Sequence, residues 1–183
     1  MNNTYFILRH GESRSNKEKF INSWPEKVKD PLTEKGIEQV RKIIPKIKKE
    51  NIDLIFSSDL LRTKLTAEII AKELSLEINF DKKLREHDTG KLNGESLVVW
   101  CKHRTTDSFI KKAPGGESFA DIKKRLEDFL NEIDKAYKDK KILIISHDNP
   151  LVVLQGIINN LLNKEILDNK KELGLNNAEL RKL

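Results

Sequence analysis

Apolar positions along this chain fall into short continuous runs and longer stripes, and the two alternate. Tyr5-Phe6-Ile7-Leu8 is a run of aromatic and branched residues, too short to span a bilayer and suited to a buried strand. Leu54-Ile55-Phe56, after Asp53, is a second, and Ile142-Leu143-Ile144-Ile145 is a third, of the kind found in a central parallel strand. Ile78 and Phe80 mark a weaker one. Between the runs, apolar residues recur at helical spacing. Ile37, Val40, Ile43, Ile44 and Ile47 follow Thr33, which reads as an N-cap. Pro45 inside that stripe predicts a kink or a split. Leu60 to Leu74 reads as a helix capped by Ser58 or Asp59. Ser118 and Asp121 make a capping box for the clearest stripe, Phe119, Ile122, Leu126, Phe129, Leu130, Ile133 and Tyr137.

Asn149 as N-cap and Pro150 at the first helical position predict a further helix. The tail from Asn163 reads as a short helix and then an edge strand near Ala178 to Leu183. Phe20 and Trp24 stand as exposed anchors in a polar segment, and Glu95 to Pro114 yields no assignment. Strands alternating with helices predict a layered α/β domain with a mostly parallel sheet. No repeat, low-complexity stretch or linker interrupts the 183 residues, so a single domain over residues 1–183 is expected.

Charge narrows the partners. The 35 Lys and Arg outnumber the 29 Asp and Glu, giving +6, which suits nucleic acid, an acidic membrane or a phosphorylated small molecule. Basic residues are not interleaved with aromatics, and Lys46, Lys48 and Lys49 read as a solvated helix face, so nucleic acid is not expected. No run is long enough for a bilayer span and no signal peptide opens the chain. Cys101 is the single cysteine, which excludes an intramolecular disulfide and fits a reducing, cytoplasmic compartment. Four His and one Cys show no ligand spacing, so neither a metal nor a cofactor is expected.

Three apolar runs lead into cationic or reactive groups: Arg9-His10 after the first, Arg62 one turn into the helix after the second, His147 after the last. In a parallel sheet those ends lie side by side, where ligands of open α/β sheets bind. Two guanidinium forks and two imidazoles around one anion make a phosphoryl pocket that needs no metal. Taken singly, the residues read less sharply. His10 has Arg9, Gly11 and Asn16 beside it and reads as functional, whereas His147 alone is equally a structural histidine. Arg62 alone reads as a surface partner of Asp59 or Thr66. Glu86 shares its setting beside a turn with Glu95 and Glu117, and His87 and His103 read as solvated or substrate-contacting.

Arg9-His10-Gly11-Glu12-Ser13, with Asn16 three residues on, resembles the signature of the histidine phosphatase superfamily, also called the phosphoglycerate mutase-like family. Further pieces match in the family's order. Pro31-Leu32-Thr33 with Gly36 and Gln39 resembles its first helix, and Ser57 to Thr63 with Thr66-Ala67 its second-arginine segment. Leu84-Arg85-Glu86 is similar to its proton-donor segment, Pro114 to Ser118 to its pre-helix loop, and Ser146-His147 to its second histidine, so the matches run from residue 6 to residue 148. The resemblance implies a three-layer α/β/α fold. It also implies that His10 is the nucleophile, forming a phosphohistidine, and that Arg9, Asn16, Arg62 and His147 hold the non-bridging oxygens. Glu86 would protonate the leaving oxygen and later help water attack. His10 must then be neutral, and Glu86 must have a raised pKa.

Two departures bear on activity. Asp148 stands where the family has Gly after its second histidine, and it either turns to solvent or faces an amino group of the substrate. The segment at about 87–116, which covers the crevice, is short, although Gly90 to Gly94 resembles part of the mutases' loop. A short cover admits water and favours hydrolysis over mutase chemistry. Within it Lys102, Arg104, Lys111 and Lys112 either meet a second anionic group or are solvated. The expectation is a metal-independent phosphomonoester hydrolase acting on a small phosphorylated metabolite. The alternatives are a 2,3-bisphosphoglycerate-dependent phosphoglycerate mutase and a catalytically weak phosphate-binding module. A Rossmann-type nucleotide site lacks its Gly-rich fingerprint. The physiological substrate and the oligomeric state, a homodimer included, stay open.

Overall fold

The computed structural model describes residues 1–103 and 109–183. In chain order the elements are β1 (Thr4–Arg9), α1 (Arg14–Glu18), α2 (Glu34–Lys49), β2 (Leu54–Ser57), α3 (Leu61–Leu74) and β3 (Ile78–Phe80). There follow α4 (Leu97–His103), α5 (Phe119–Ala136), β4 (Lys141–Ser146), α6 (Asp148–Ile158), α7 (Asn163–Asp168), α8 (Lys170–Leu173) and β5 (Leu180–Lys182).

The strands form one sheet in the order β3-β2-β4-β1-β5, parallel except for β5, which runs antiparallel to β1 at the edge. The continuous apolar runs are explained by burial of both faces. Tyr5, Ile7, Phe56, Ile142 and Ile144 point to one side, where α5 and α6 supply Ile122, Leu126, Phe129 and Leu151. Phe6, Leu8, Ile55, Leu143 and Ile145 alternate to the other, against Val40 and Ile47 of α2 and Ala67 and Ile70 of α3. Two cores, one on each face of the sheet, give three layers, α/β/α.

Local expectations hold at most places and shift at three. Helix α2 runs unbroken through Pro45, which lies on the exposed face with Arg41, so the carbonyl deprived of its partner there faces water. Helix α3 is capped at Leu60, with Ser58 Oγ accepting the Leu60 amide at 3.4 Å. Asp59 is drawn off by Arg85, which grips it through two bonds of 2.6 and 2.5 Å. Helix α6 begins earlier than expected: His147 is its N-cap and Asp148 its first residue. Pro150 sits third, which costs no bond because first-turn amides have no helical partner. The unassigned stretch contains α4, none of whose residues is buried.

The loop after β1 is pressed onto the start of α2. A Cβ on Gly36 would lie 2.1 Å from the Glu12 carbonyl oxygen, and one on Gly11 2.5 Å from the Gly36 carbonyl oxygen. Gly115 differs, with φ +75 and open space around it. Gly36→Ala should therefore lose about 2–3 kcal/mol to backbone displacement, read as a fall in melting temperature of roughly 5–10 °C. Gly115→Ala, paying only for the left-handed backbone, should lose about 1 kcal/mol. Thermal unfolding followed by circular dichroism compares the two, and equal shifts would contradict the tight β1–α2 contact.

Candidate active site

The register of β1 against β4 pairs Arg9 with Ser146, so His10 and His147 leave adjacent strand ends together. Their rings meet edge to face, with centroids 5.2 Å apart. β2 flanks β4 on its other side and delivers Ser58, whose hydroxyl lies 2.9 Å from His147 Nε2. Arg62 stands in the first turn of α3, just beyond β2. Arg9, His10, Asn16, Arg62 and Glu86 all line one cavity of about 280 Å³, and Asp148 joins them. His147 does not line it but stands against His10, fully buried.

His10 is 2% exposed, and its Nδ1 lies 2.7 Å from the Gly11 carbonyl oxygen. A carbonyl only accepts, so Nδ1 carries the hydrogen and Nε2 keeps its lone pair. Burial, followed by Arg62 and Arg9, pushes the His10 pKa well below 6.5, so the ring is neutral at neutral pH. His147 is lowered in the same way, by burial first and then by Arg62 and His10. Its Nδ1 is buried without a protein partner.

The two arginines are held by groups that sequence reading did not find. Arg62 Nη1 donates to Glu26 Oε1 at 2.9 Å and to Asp30 Oδ2 at 3.2 Å, and not to Asp59. Asp30 is fully buried and also accepts from the Ser15 amide at 2.8 Å and from the Ser15 and Ser13 hydroxyls at 2.7 and 3.2 Å. One carboxylate thus ties the loop after β1 to α3. Arg9 Nη1 donates to the Leu175 carbonyl at 2.6 Å and to Asp148 Oδ1 at 3.3 Å. Asn177 Nδ2 donates to the His10 carbonyl and to Asn16 Oδ1, both at 3.1 Å. Asn16 Oδ1 also accepts from the Ser13 amide, which leaves its NH2 end as what it offers the cavity. Asp30 beside Pro31 carried a turn-like signal only, and residues 175–177 lie in a tail with no periodic pattern.

Of the three candidate acids, only Glu86 lines the cavity; Glu95 is exposed, and Glu117 is gripped by Arg125 at 2.9 and 3.1 Å. Burial raises the Glu86 pKa, against Arg62 and the His87 amide, and Asp148 adds to the rise. Its loop is pinned by Ser146 Oγ donating to the Leu84 carbonyl at 2.7 Å and by Arg125, which donates to the Lys83 and Glu86 carbonyls.

The outer wall comes from Phe20 and from Leu97, Trp100 and Cys101 of α4. Phe20 is therefore half-buried in the wall, while Trp24 stays outside under the Arg85 guanidinium, 4.5 Å away. His87 is neither solvated nor in the cavity: it is 5% exposed, wedged between Trp100 and Phe119, with Nε2 donating to the Glu117 carbonyl at 2.7 Å. Burial keeps its pKa low. His103, Lys102, Lys111 and Lys112 are exposed and none lines the cavity, Lys112 pairing with Asp121 at 3.3 Å. Arg104 lies outside the described residues. Among the described residues no group of three His, Cys, Asp or Glu side chains is placed to hold a metal ion, and no helix is long and apolar enough to cross a membrane.

Residues 5–183 match the profile of the histidine phosphatase superfamily, branch 1. A protein of Salmonella choleraesuis (strain SC-B67) named "Probable phosphoglycerate mutase GpmB" is 33% identical over 160 residues, covering 84% of this chain and 73% of that one. Among solved structures, a mycobacterial glucosyl-3-phosphoglycerate phosphatase in complex with VO3 superposes with a TM-score of 0.87 at 22% identity, over 98% of this chain and 92% of its own. A phosphoserine phosphatase from Entamoeba histolytica, in complex with 3-phosphoglyceric acid, has a TM-score of 0.81 at 22% identity, over 98% of this chain and 89% of its own. These two likenesses show the fold. The profile and the sequence relative show more: this chain belongs to the histidine phosphatase superfamily.

Proposed function

We propose that this protein hydrolyses phosphomonoesters of small metabolites through a phosphohistidine at His10. The observation that carries the reading is a buried imidazole whose proton is fixed on Nδ1, leaving a neutral Nε2 beside two guanidinium groups. In the first step Nε2 attacks phosphorus and the bond from phosphorus to the leaving oxygen breaks. Arg9 and Arg62 take up charge on the non-bridging oxygens, where it develops in the transition state. The Asn16 NH2 adds a donor, and so does His147 Nδ1 when the Ser58 hydroxyl donates to its Nε2. Glu86, whose pKa burial raises, gives a proton to the leaving oxygen. In the second step water passes a proton back to Glu86 as its oxygen attacks phosphorus, and the P–N bond to His10 breaks.

Phosphatase is favoured over mutase by the cover: α4 is one short helix without a buried residue, which supports water entry over the phosphohistidine. The name of the Salmonella choleraesuis relative favours the mutase reading, and assays separate the two. The complete set of His10, Arg9, Arg62 and Glu86 in one cavity speaks against a mere phosphate-binding module.

His10→Ala should lower phosphate release from an alkyl phosphate panel at least about 10³-fold, with wild-type activity unchanged by excess chelator. Activity seen only with 2,3-bisphosphoglycerate and 3-phosphoglycerate, without phosphate release, would establish the mutase instead. The pH profile follows from the shifted groups. Because the His10 pKa is lowered, the acid limb should fall below the ordinary histidine range; because that of Glu86 is raised, kcat should decline as alkali removes its proton. Glu86→Gln should abolish that alkaline limb and lower kcat by about 10²–10⁴ on alkyl phosphates. On p-nitrophenyl phosphate, whose leaving group needs no proton, it should lose far less; an equal loss on both would remove Glu86 from proton transfer.

A further inference from the structure

Four ionisable side chains besides His10 stand in the described cavity wall: Arg9, Arg62, Glu86 and Asp148. A phosphoryl group takes both guanidiniums, which sit beside the nucleophile. What the wall then offers the rest of the substrate is neutral polar groups such as Ser23, Thr89 and Asn149, the ring of Trp100, the Glu86 acid and the Asp148 carboxylate. Asp148 is the one paired to a guanidinium. It is the first residue of α6, immediately after His147, with Oδ1 3.3 Å from Arg9 Nη1, and its side chain is 36% exposed. Its place on a helix and its bond to Arg9 hold the carboxylate beside the phosphoryl-binding cation, on the same cavity wall as Glu86.

Resting on the reading of this cavity as a phosphomonoester site, we propose that Asp148 selects substrates by charge, admitting esters whose leaving group is neutral or cationic and rejecting those with a second anion. A substrate carboxylate would meet Asp148 with no cation among the described wall residues left to receive it. Hydroxyl and ammonium groups, by contrast, donate to a carboxylate. Specificity is set here by a repulsive element as well as attractive ones. The Coulomb interaction of two like charges across a partly dry cavity is large enough to change affinity by about tenfold.

Glycerol 3-phosphate and 3-phosphoglycerate isolate the effect, since they differ by a hydroxymethyl in place of a carboxylate; phosphoethanolamine supplies the cationic case. Binding is measured by calorimetry to His10→Ala, which turns nothing over, and to His10→Ala combined with Asp148→Asn. Affinity ratios within one protein cancel any general effect of the substitution on Arg9 or Glu86. The protein retaining Asp148 should bind glycerol 3-phosphate and phosphoethanolamine at least about tenfold tighter than 3-phosphoglycerate. With Asp148→Asn, or Asp148→Ser as a second variant, the preference over 3-phosphoglycerate should shrink to about twofold. Equal affinities with Asp148 present, a preference that survives both variants, or no binding of any ester would overturn the proposal. A wild-type enzyme that releases no phosphate from esters it binds with this preference would defeat the hydrolase reading and leave the charge selection standing.

Discussion

A guanidinium that is 3% exposed must have its charge answered inside the protein, and the site depends on how that is done for Arg62. Burying an unpaired cation is costly, whereas pairing it with a hydrogen-bonded carboxylate makes burial tolerable. Asp30 supplies the carboxylate and uses its remaining lone pairs on Ser13 and Ser15. The same contact that neutralises Arg62 therefore sets the distance between the His10 loop and helix α3. Glu26 is the second partner, and burial raises its pKa towards the neutral form. Two fully ionised carboxylates would leave the cluster net negative and repel a phosphate.

That dependence explains which parts of the molecule were legible beforehand. Strands β1, β2 and β4 were readable because both faces are covered, so Phe6 and Ile7 are equally apolar although they face opposite cores. His10, Arg62 and His147 were readable because they follow those strands at fixed offsets, and a parallel sheet brings such ends together. Asp30, Glu26, Leu175 and Asn177 were not, because each acts through a contact distant in sequence and sits in a segment without period. Asn177 reaches His10 across 167 positions. Helix α4 was unreadable for a different reason: its apolar residues, Leu97 to Cys101, form one short run with no polar face to set a helical period, and none of them is buried. The start of α6 was misplaced by Asn149-Pro150, a start signal that Pro at any first-turn position satisfies.

His87 shows how a titratable residue beside a site is occupied structurally. Trp100 and Phe119 cover its ring, and its Nε2 holds the Glu117 carbonyl at 2.7 Å. Glu117 in turn takes Arg125, and Arg125 holds the carbonyl of Glu86. The proposed acid is thus carried on a chain of largely buried polar groups that ends at α5, and α4 rests its one indole on the same histidine. Placement of the acid and seating of the cover share a support.

After burial, neutrality of the proposed nucleophile and attraction for phosphate share a cause here. Arg62 and Arg9 disfavour a proton on His10, which leaves Nε2 able to attack; the same charges draw the anion to be attacked. His147 extends the logic, because two imidazoles 5.2 Å apart beside two guanidiniums cannot both gain charge cheaply, and each lowers the other's tendency to protonate. Removing a guanidinium would then do two kinds of harm, weakening the hold on phosphate and letting the nucleophile bind a proton more readily. A phosphoryl dianion would run the field the other way, offsetting the arginines and easing protonation of His147. On the proposed mechanism, a site built on this balance would keep its nucleophile free of a proton and regain cationic help as the phosphoryl group is bound.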